Sequence, residues 1–292
     1  MTLKILYASF QLGSVLPGYV RYALSKLAKC GSVTLITNRR ELAPQESTFL
    51  EAAGIELFMT ENRGFDFGMW RRYLASISWN LGEDFRLVLV NDSMVYYRDR
   101  FGEFFERAEA LGASAVSLTE NFEVAHHLQS FFLYLRPEAV GALKRHFAAT
   151  PEQEDFRGAV RNHEIAFSAQ LLAEGLKIEA LLKTPKPILF SYAELIASGA
   201  GFVKRKLLQR RFPIADVCHF WINLEPGALY ADYAKIIAEK GSPDPDFKLE
   251  WLPKKSVGAL HDALGFLCGI LAFFQGGLLL LRRKIAKARG RL

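Results

Sequence analysis

Short apolar runs alternate with amphipathic stretches over most of the chain, and this alternation constrains the fold more than any other feature. In the stretches between the runs, apolar residues return at helical spacing. Strands that alternate with helices predict an α/β fold with a mostly parallel sheet and helices on both faces. The predicted strands are Ile5–Phe10, Val33–Thr37, Ile55–Met59, Leu87–Val90, Ala115–Leu118 and Phe131–Leu135, and the predicted helices include Tyr19–Lys29, Met69–Trp79, Phe101–Leu111 and Glu164–Glu174.

The chain has 292 residues, half of them hydrophobic, which is enough for one large domain or two small ones. Near residue 240 the sequence KGSPDPDFKLEWLPKK mixes glycine, proline and charges in the manner of a linker. We therefore predict a main domain at residues 1–235, a linker at 236–256 and a separate C-terminal segment at 257–292. Within that segment, residues 263–281 carry no formal charge and are at the short end of what can cross a bilayer.

The net charge of +6 is confined to the C-terminus, because residues 282–292 carry six basic side chains and no acidic one. The rest of the chain is neutral, which argues against a nucleic-acid partner and favours anionic lipid for the basic tail. The three cysteines are far apart and form no metal-ligand pattern, and the N-terminus lacks the apolar region of a signal peptide. These features predict reduced thiols in a cytosolic compartment.

The stretch RLVLVNDSM ends a short apolar run with Asn91, Asp92 and Ser93. Such a run is typical of a strand buried on both faces, and in open α/β sheets ligands bind beyond the carboxyl ends of these strands. Asp92 is therefore a candidate site residue. A strand that ends in an Asx turn or a helix cap explains the same residues without any ligand.

Two further stretches have the residue types of a binding site. ENRGFDFGMW places Asn62, Gly64 and Asp66 after a strand, where glycine allows a positive φ and the polar side chains can bond a sugar hydroxyl. A strand-to-helix turn with Asp66 near a helix N-terminus is the structural alternative. AHHLQSFFLYL places His126, His127 and Gln129 before a strand, and adjacent histidines in an extended chain point to opposite faces. At most one of the two then faces a site, and a structural role is the alternative for either.

Residues 162–176, NHEIAFSAQLLAEGL, predict a helix that opens with a carboxylate and ends at a glycine. A carboxylate held on the first turn of a packed helix is suited to act as a general base. The helix dipole alone also favours an acidic residue at Glu164, so a capping role remains the alternative.

In this order, NRGFDFG, LVLVNDS, HHLQSFFL and GFVKRKLL resemble the rhamnan-synthesis F family of bacterial polysaccharide proteins, over roughly residues 1 to 235. The resemblance implies a GT-A-like glycosyltransferase in which Asp92 holds a divalent cation, Mg²⁺ or Mn²⁺, on the diphosphate of a nucleotide sugar. It also implies an acceptor-activating base at Glu164 or His163. Asn91-Asp92-Ser93 has only one carboxylate where such enzymes have an Asp-x-Asp motif, which weakens the metal assignment. The residues predicted to bind substrate or donor are Asn62, Gly64, Asp66, Asn91, Ser93, His126, His127 and Gln129.

We accordingly predict an inverting glycosyltransferase that moves a sugar, L-rhamnose by the resemblance, from a nucleotide donor to a lipid-linked glycan. The alternative is a GT-A-like subunit of an assembly complex that binds glycans or nucleotides without transferring sugar. Since sugar nucleotides are cytosolic, we expect residues 263–281 to attach the protein to the cytoplasmic face of the inner membrane without crossing it. A hairpin packed on the domain is the alternative for this segment.

Overall fold

A computed structural model of the chain describes residues 2–38, 41–77, 84–122, 124–183, 188–209 and 231–255. Strands and helices alternate along them, as the apolar pattern predicts. The strands are β1 (Thr2–Ser9), β2 (Ser32–Thr37), β3 (Glu56–Met59), β4 (Phe85–Asn91), β5 (Met94–Tyr96), β6 (Ala115–Asn121), β7 (His127–Leu128), β8 (Phe132–Leu135), β9 (Ile178–Leu182) and β10 (Phe202–Lys204). The helices are α1 (Gly18–Leu27), α2 (Pro44–Ala52), α3 (Phe65–Ser76), α4 (Phe101–Ala110), α5 (Pro137–Ala149), α6 (Phe156–Ala159), α7 (Ala166–Ala173), α8 (Ile188–Ala197), α9 (Arg205–Gln209) and α10 (Tyr233–Lys240), with a π-helical turn at Val160–Ile165 and a short 3₁₀ turn at Leu249–Trp251.

The main sheet is mostly parallel. Its strands follow the order β3-β2-β1-β4-β8-β6-β7, and β9 pairs with β6. Strands β3, β2, β1 and β4 are parallel, β8 runs antiparallel between β4 and β6, and β9 is parallel to β6. The carboxyl ends of β1, β4 and β6 therefore meet at one edge of the sheet. The α/β fold with a mostly parallel sheet and flanking helices is confirmed.

Each face of the sheet has its own hydrophobic core, because side chains alternate between the faces along every strand. In β4, Val88 and Val90 pack in the core on the side of α1 and α4. Leu87 and Leu89 of the same strand pack in the other core, with α3, α5 and α7. Both cores are continuous, so the central strands are buried on both faces and read as apolar runs.

A two-stranded antiparallel ribbon lies outside the main sheet. It is formed by β5, which begins just after Ser93, and β10, with Val95 opposite Val203. Because the ribbon pairs segments that are far apart in the sequence, it brings the chain that follows β10 back to the carboxyl end of β4. The pairing of β5 with β10 therefore adds residues that follow β10 to the site at the end of β4.

The segment predicted to be a linker packs against the domain. The first residues of this segment, 236–240, belong to helix α10. Farther along, Asp244 accepts a hydrogen bond of 2.6 Å from the Tyr22 hydroxyl. Phe247 is only 5% exposed and packs edge-on against Tyr22, with ring centroids 5.0 Å apart. The described residues of the predicted linker thus pack against the domain, and the division at 236–256 stays a prediction.

No helix among the described residues is long and apolar enough to cross a membrane. The apolar segment 263–281 and the basic tail lie outside the described residues, so their predicted membrane attachment stays a prediction. Cys30 is a partly buried free thiol.

Candidate functional site

The site lies at the carboxyl ends of β1 and β4. Asn91 follows Leu87 and Leu89 in alternation, so it faces α3, where its amide donates a hydrogen bond of 2.6 Å to Asp66. Asp92 faces the opposite side, toward α1. The end of one strand therefore supplies polar groups to both faces of the sheet, which explains why the apolar run stops at this point.

Asp92 is 4% exposed, and its Oδ2 is densely hydrogen-bonded. The Ser9 hydroxyl donates to Oδ2 over 3.0 Å and the Gln11 amide over 3.2 Å. Nη1 of Arg205 lies 3.0 Å from the same oxygen. A buried carboxylate is tolerated only when it is paired and hydrogen-bonded in this way. Burial raises the pKa of Asp92, while Arg205 and Ser9 oppose that rise.

Arg205 reaches Asp92 because β10 pairs with β5. The backbone N–H of Arg205 donates to the Ser93 carbonyl over 2.8 Å, which fixes the start of α9 beside the end of β4. Nη1 also donates to the Tyr19 hydroxyl, 3.1 Å away. Burial acts to lower the pKa of Arg205, but Asp92 and Tyr19 raise it by more, so the guanidinium stays charged. From the sequence, Lys204 and Arg205 either form a solvated basic face or face phosphate, and the ion pair of Arg205 with Asp92 does not fit a solvated face for Arg205.

Two glycines shape the loop that precedes α3. Gly64 caps the helix with φ +75°, a left-handed conformation that glycine adopts without strain. A Cβ on Gly68 would lie 2.0 Å from the carbonyl oxygen of Arg63, so the loop and the helix can approach this closely only at a glycine. The loop is further held by Arg72, whose Nη2 donates to the carbonyls of Glu61 and Arg63, each over 2.6 Å. The result is a rigid turn that places Asp66 in the first turn of α3.

The carboxyl of Asp66 has a strongly perturbed pKa. Burial and the nearby charge of Asp92 raise it from 3.8 to about 7, although Arg205 and Asn91 act in the opposite direction. The carboxyl of Asp66 is therefore protonated far more readily than that of an ordinary aspartate. Perturbed carboxyl groups in a cleft are typical of functional sites.

Glu164 and His163 lie in the π-helical turn between α6 and α7, not at the start of a helix. His163 is 1% exposed and is stacked on Phe67, with ring centroids 5.0 Å apart. Its Nδ1 lies 3.1 Å from Nε2 of His146, and burial lowers its pKa to about 4. The neutral His163 ring thus lies in the core, whereas Glu164 faces the cavity described below. Single π-helical turns are frequent at functional sites.

The carboxylate of Glu164 is held by two neighbours. The Ser130 hydroxyl donates to Oε2 over 3.1 Å, and Nε2 of His127 lies 3.6 Å from Oε1. Nδ1 of His127 lies 2.8 Å from the carbonyl oxygen of Ala125, and because a carbonyl only accepts, Nδ1 carries a proton. Ser130 and His127 therefore fix the orientation of the Glu164 carboxylate.

Asp66, Glu164 and Arg205 line a cavity of about 330 Å³ at the carboxyl edge of the sheet. Among the predicted residues, Asp66, Asn91, Ser93 and Glu164 line it. The sequence analysis did not single out Ser130 or Phe156, because a lone serine and an exposed phenylalanine give no signal in a sequence. The lining side chains are Asp66, Asn91, Ser93, Ser130, Phe131, Phe156, Glu164, Lys204, Arg205, Lys206 and Gln209.

Three predicted residues lie elsewhere. Asn62 is exposed on the loop before α3. His126 faces outward, stacked on Phe122 with its Nε2 2.8 Å from Glu120. Gln129 is buried, and its Oε1 accepts a hydrogen bond of 2.7 Å from Thr119. His126 and Gln129 thus have structural contacts, and the roles of all three residues in binding stay predictions.

Comparison with known proteins bears on the same region. The chain matches the family described as rhamnan synthesis protein F over residues 33–240. The chain belongs to that family. The match covers β2 to α10 and includes every predicted site residue. As a member of the rhamnan synthesis protein F family, the protein is related to polysaccharide synthesis, as the motif order predicts. No curated protein matches the chain.

Solved structures share only a distant likeness with this rhamnan synthesis family member. A cytidylyltransferase from Leptospira borgpetersenii is 11% identical with a TM-score of 0.40, and the alignment covers 88% of this chain and 99% of that one. Glucosyl-3-phosphoglycerate synthase from Mycobacterium tuberculosis, in complex with Mn²⁺, UDP and glucosyl-3-phosphoglycerate, is 10% identical with a TM-score of 0.43, covering 84% of this chain and 81% of that one. Similarities at this level do not indicate a shared activity.

The residues around Asp92 do not fit the divalent cation that the family resemblance implies. Hard cations prefer several oxygen ligands, with at least one carboxylate open to the metal. Oδ2 of Asp92 already accepts from Ser9, Gln11 and Arg205, and the guanidinium places a positive charge where the metal would stand. Over the described parts of the chain, no three His, Cys, Asp or Glu side chains are grouped to hold a metal ion. The role of Asp92 as a metal ligand stays a prediction, without support from this donor set.

Proposed function

We propose that the protein is a glycosyltransferase that moves a sugar from a nucleotide donor to a glycan acceptor during polysaccharide synthesis. Membership of the rhamnan synthesis protein F family supports the pathway. The observation that carries the reaction type is Glu164, a carboxylate that faces the cavity and is held by Ser130 and His127. L-rhamnose as the sugar and a lipid-linked acceptor are part of the proposal and follow from the family alone.

The proposed reaction is a single inverting displacement. The acceptor hydroxyl attacks the anomeric carbon of the sugar while the bond from that carbon to the diphosphate oxygen breaks. The electron pair of the breaking bond goes to the diphosphate, and the hydroxyl proton goes to Glu164. His127 keeps the Glu164 carboxylate oriented, and Asp66 and Asn91 contact the donor from the α3 side.

The proposal also includes location. Residues 263–281 and the six basic side chains that follow would hold the protein at the cytoplasmic face of the inner membrane, next to a lipid-linked acceptor. Protease treatment of intact cells tests this location, and cleavage of the N-terminal domain from outside would contradict it.

The test of function is release of nucleoside diphosphate from a panel of nucleotide sugars by the full-length protein, with and without membrane lipid extract as acceptor. We expect the Glu164→Gln variant to bind donor like the wild type but to turn it over at least about a hundredfold more slowly, because an amide cannot take the proton. Glu174→Gln, a carboxylate paired with Arg145 on the surface, is the matched control and should retain full activity.

The second candidate is a subunit that binds a glycan or nucleotide without transferring it. The single carboxylate of Asn91-Asp92-Ser93, already paired with Arg205, favours it. Donor binding with no turnover for any nucleotide sugar, together with equal behaviour of wild type and Glu164→Gln, would establish this candidate instead.

A further inference from the structure

Among the described residues that line the cavity, Arg205 is the one arginine, and contacts fix both its backbone and its side chain. Its backbone N–H is bound to the Ser93 carbonyl, and its Nη1 contacts Asp92 and Tyr19. Within the described parts of the chain, the side-chain contacts of Arg205 with Asp92 and Tyr19 use Nη1, which leaves the N–H groups of Nε and Nη2 for a ligand. A guanidinium offers these donors in a planar fork that matches phosphate oxygens.

Cations and carboxylates both line the cavity. Lys204, Arg205 and Lys206 lie on its wall together with the carboxylates of Asp66 and Glu164. Burial and the charge of Asp92 raise the pKa of Asp66 to about 7, which lowers its negative charge at neutral pH. Because the ion pair with Asp92 offsets the charge of Arg205, the planar donors of the guanidinium, and not an excess of positive charge, suit this wall to an anion.

We propose that Arg205 binds the diphosphate of the donor and takes the place of a divalent cation, so that sugar transfer needs no metal. This rests on the proposed function. As the bond between the anomeric carbon and the diphosphate oxygen breaks, Arg205 stabilises the negative charge that the leaving diphosphate gains, and the acceptor proton goes to Glu164 as before. Asp92 is then a positioning residue that keeps the guanidinium charged and oriented.

The geometry at Asp92 carries this inference. A Mg²⁺ ion bonded to a carboxylate oxygen stands at about 2.1 Å from it. At Oδ2 of Asp92, such an ion would stand next to a guanidinium whose Nη1 is already 3.0 Å away. Two cations at that separation repel, so metal binding would require Arg205 to leave its buried partner.

Calorimetric titration of the full-length protein with inorganic pyrophosphate in EDTA tests the proposal. We expect pyrophosphate to bind without metal, and we expect Arg205→Gln to weaken the binding by about ten- to a hundredfold through the loss of a charge-assisted contact. Arg205→Lys should retain part of the affinity. Arg145→Gln removes an arginine from an exposed ion pair with Glu174 and should leave pyrophosphate binding unchanged.

A second variant controls for misfolding caused by the loss of the ion pair between Arg205 and Asp92. Arg205→Gln alone leaves Asp92 buried without its cation, whereas the double variant Asp92→Asn with Arg205→Gln removes both charges. The double variant should melt close to the wild type and still fail to bind pyrophosphate. If it binds like the wild type, Arg205 is not the anion ligand and the proposal is overturned.

The remaining outcomes separate this inference from the proposed function. Turnover of a nucleotide sugar that requires Mg²⁺ or Mn²⁺ would overturn the inference and keep the glycosyltransferase. Binding of pyrophosphate through Arg205 without turnover of any nucleotide sugar would keep the anion site and overturn the glycosyltransferase. Competition by nucleotide sugars is expected, and competition by a polyprenyl diphosphate alone would assign the site to the acceptor and overturn the proposal.

Discussion

Replacement of Asp66 by asparagine is expected to stabilise the protein, and to do so more at pH 8 than at pH 5. The pKa of Asp66 is raised from 3.8 to about 7 in the folded state, mainly by burial. A group whose folded pKa lies above its unfolded pKa contributes stability below the unfolded value and loses it as the pH rises through the folded value. Asp66 therefore weakens the fold progressively between pH 3.8 and about pH 7, and fully above it, whereas asparagine carries no such charge.

The size of the effect follows from the two pKa values. The interval from 3.8 to about 7 corresponds to about 4 kcal/mol, at 1.36 kcal/mol per unit. Because the side chain is only partly buried, solvent screens much of this, and we expect about 1–2 kcal/mol. Asn91 can still donate its hydrogen bond to the new amide oxygen. For a chain of this size each kcal/mol corresponds to about 2–4 °C in Tm.

Thermal unfolding of wild type and Asp66→Asn at pH 5 and pH 8, in the same detergent buffer, measures this difference. Asp246→Asn is a control of opposite sign, because Lys26 holds the pKa of Asp246 below its usual value. Loss of the Asp246 charge in this variant should lower Tm at pH 8, but only slightly, because the Asp246 side chain is largely exposed. An equal shift of the Asp66→Asn variant at both pH values, or a lower Tm at pH 8, would refute the reasoning.

Three further predictions concern the core, the loop and the tail. His163→Gln should lower the free energy of unfolding by about 1–2 kcal/mol, because the contacts of His163 with His146 and Phe67 are lost. It should reduce turnover less than Glu164→Gln does. If kinetic assays show the reverse order, His163 and not Glu164 is the base. Gly68→Ala should destabilise by about 1–3 kcal/mol in urea unfolding because its Cβ meets a backbone oxygen, whereas Gly102→Ala, which meets nothing within 4 Å, should not. Deletion of residues 257–292 should release a soluble, folded protein in a sedimentation assay, and aggregation would favour a hairpin packed on the domain.

The long elements of the fold were predictable because the spacing of their apolar residues in the sequence matches the residues that are buried. β1, β2 and β4 are apolar runs covered on both faces, and α1 and α4 show helical spacing that matches the structure within two residues. β5, β7 and β10 are two or three residues long, and runs this short have no periodicity to detect. The π-helical turn likewise has no sequence signature, which is why the helix predicted to begin at Glu164 instead has this residue in mid-turn.

The site was predictable where polar residues follow a buried strand and unpredictable where a distant segment completes it. Asp66, Asn91 and Ser93 come directly after strands or in the first turn of a helix, and all three line the cavity. Arg205 lies in the run VKRK, which resembles a solvated basic face. Only the pairing of β10 with β5 brings it to Asp92, and strand pairing across such a separation cannot be read from a local pattern.

The β5–β10 ribbon also sets the order in which a newly made chain can complete its site. Asp92 leaves the ribosome on the order of ten seconds before Arg205, at synthesis rates of about 5–20 residues per second. During that interval the first strands can already pair, but the carboxylate at the end of β4 lacks its cation and remains hydrated. Burial of this edge must wait for residues 202–205. We therefore expect a stage during synthesis in which the first strands have paired and the carboxyl edge is still open to water, until β5 and β10 pair.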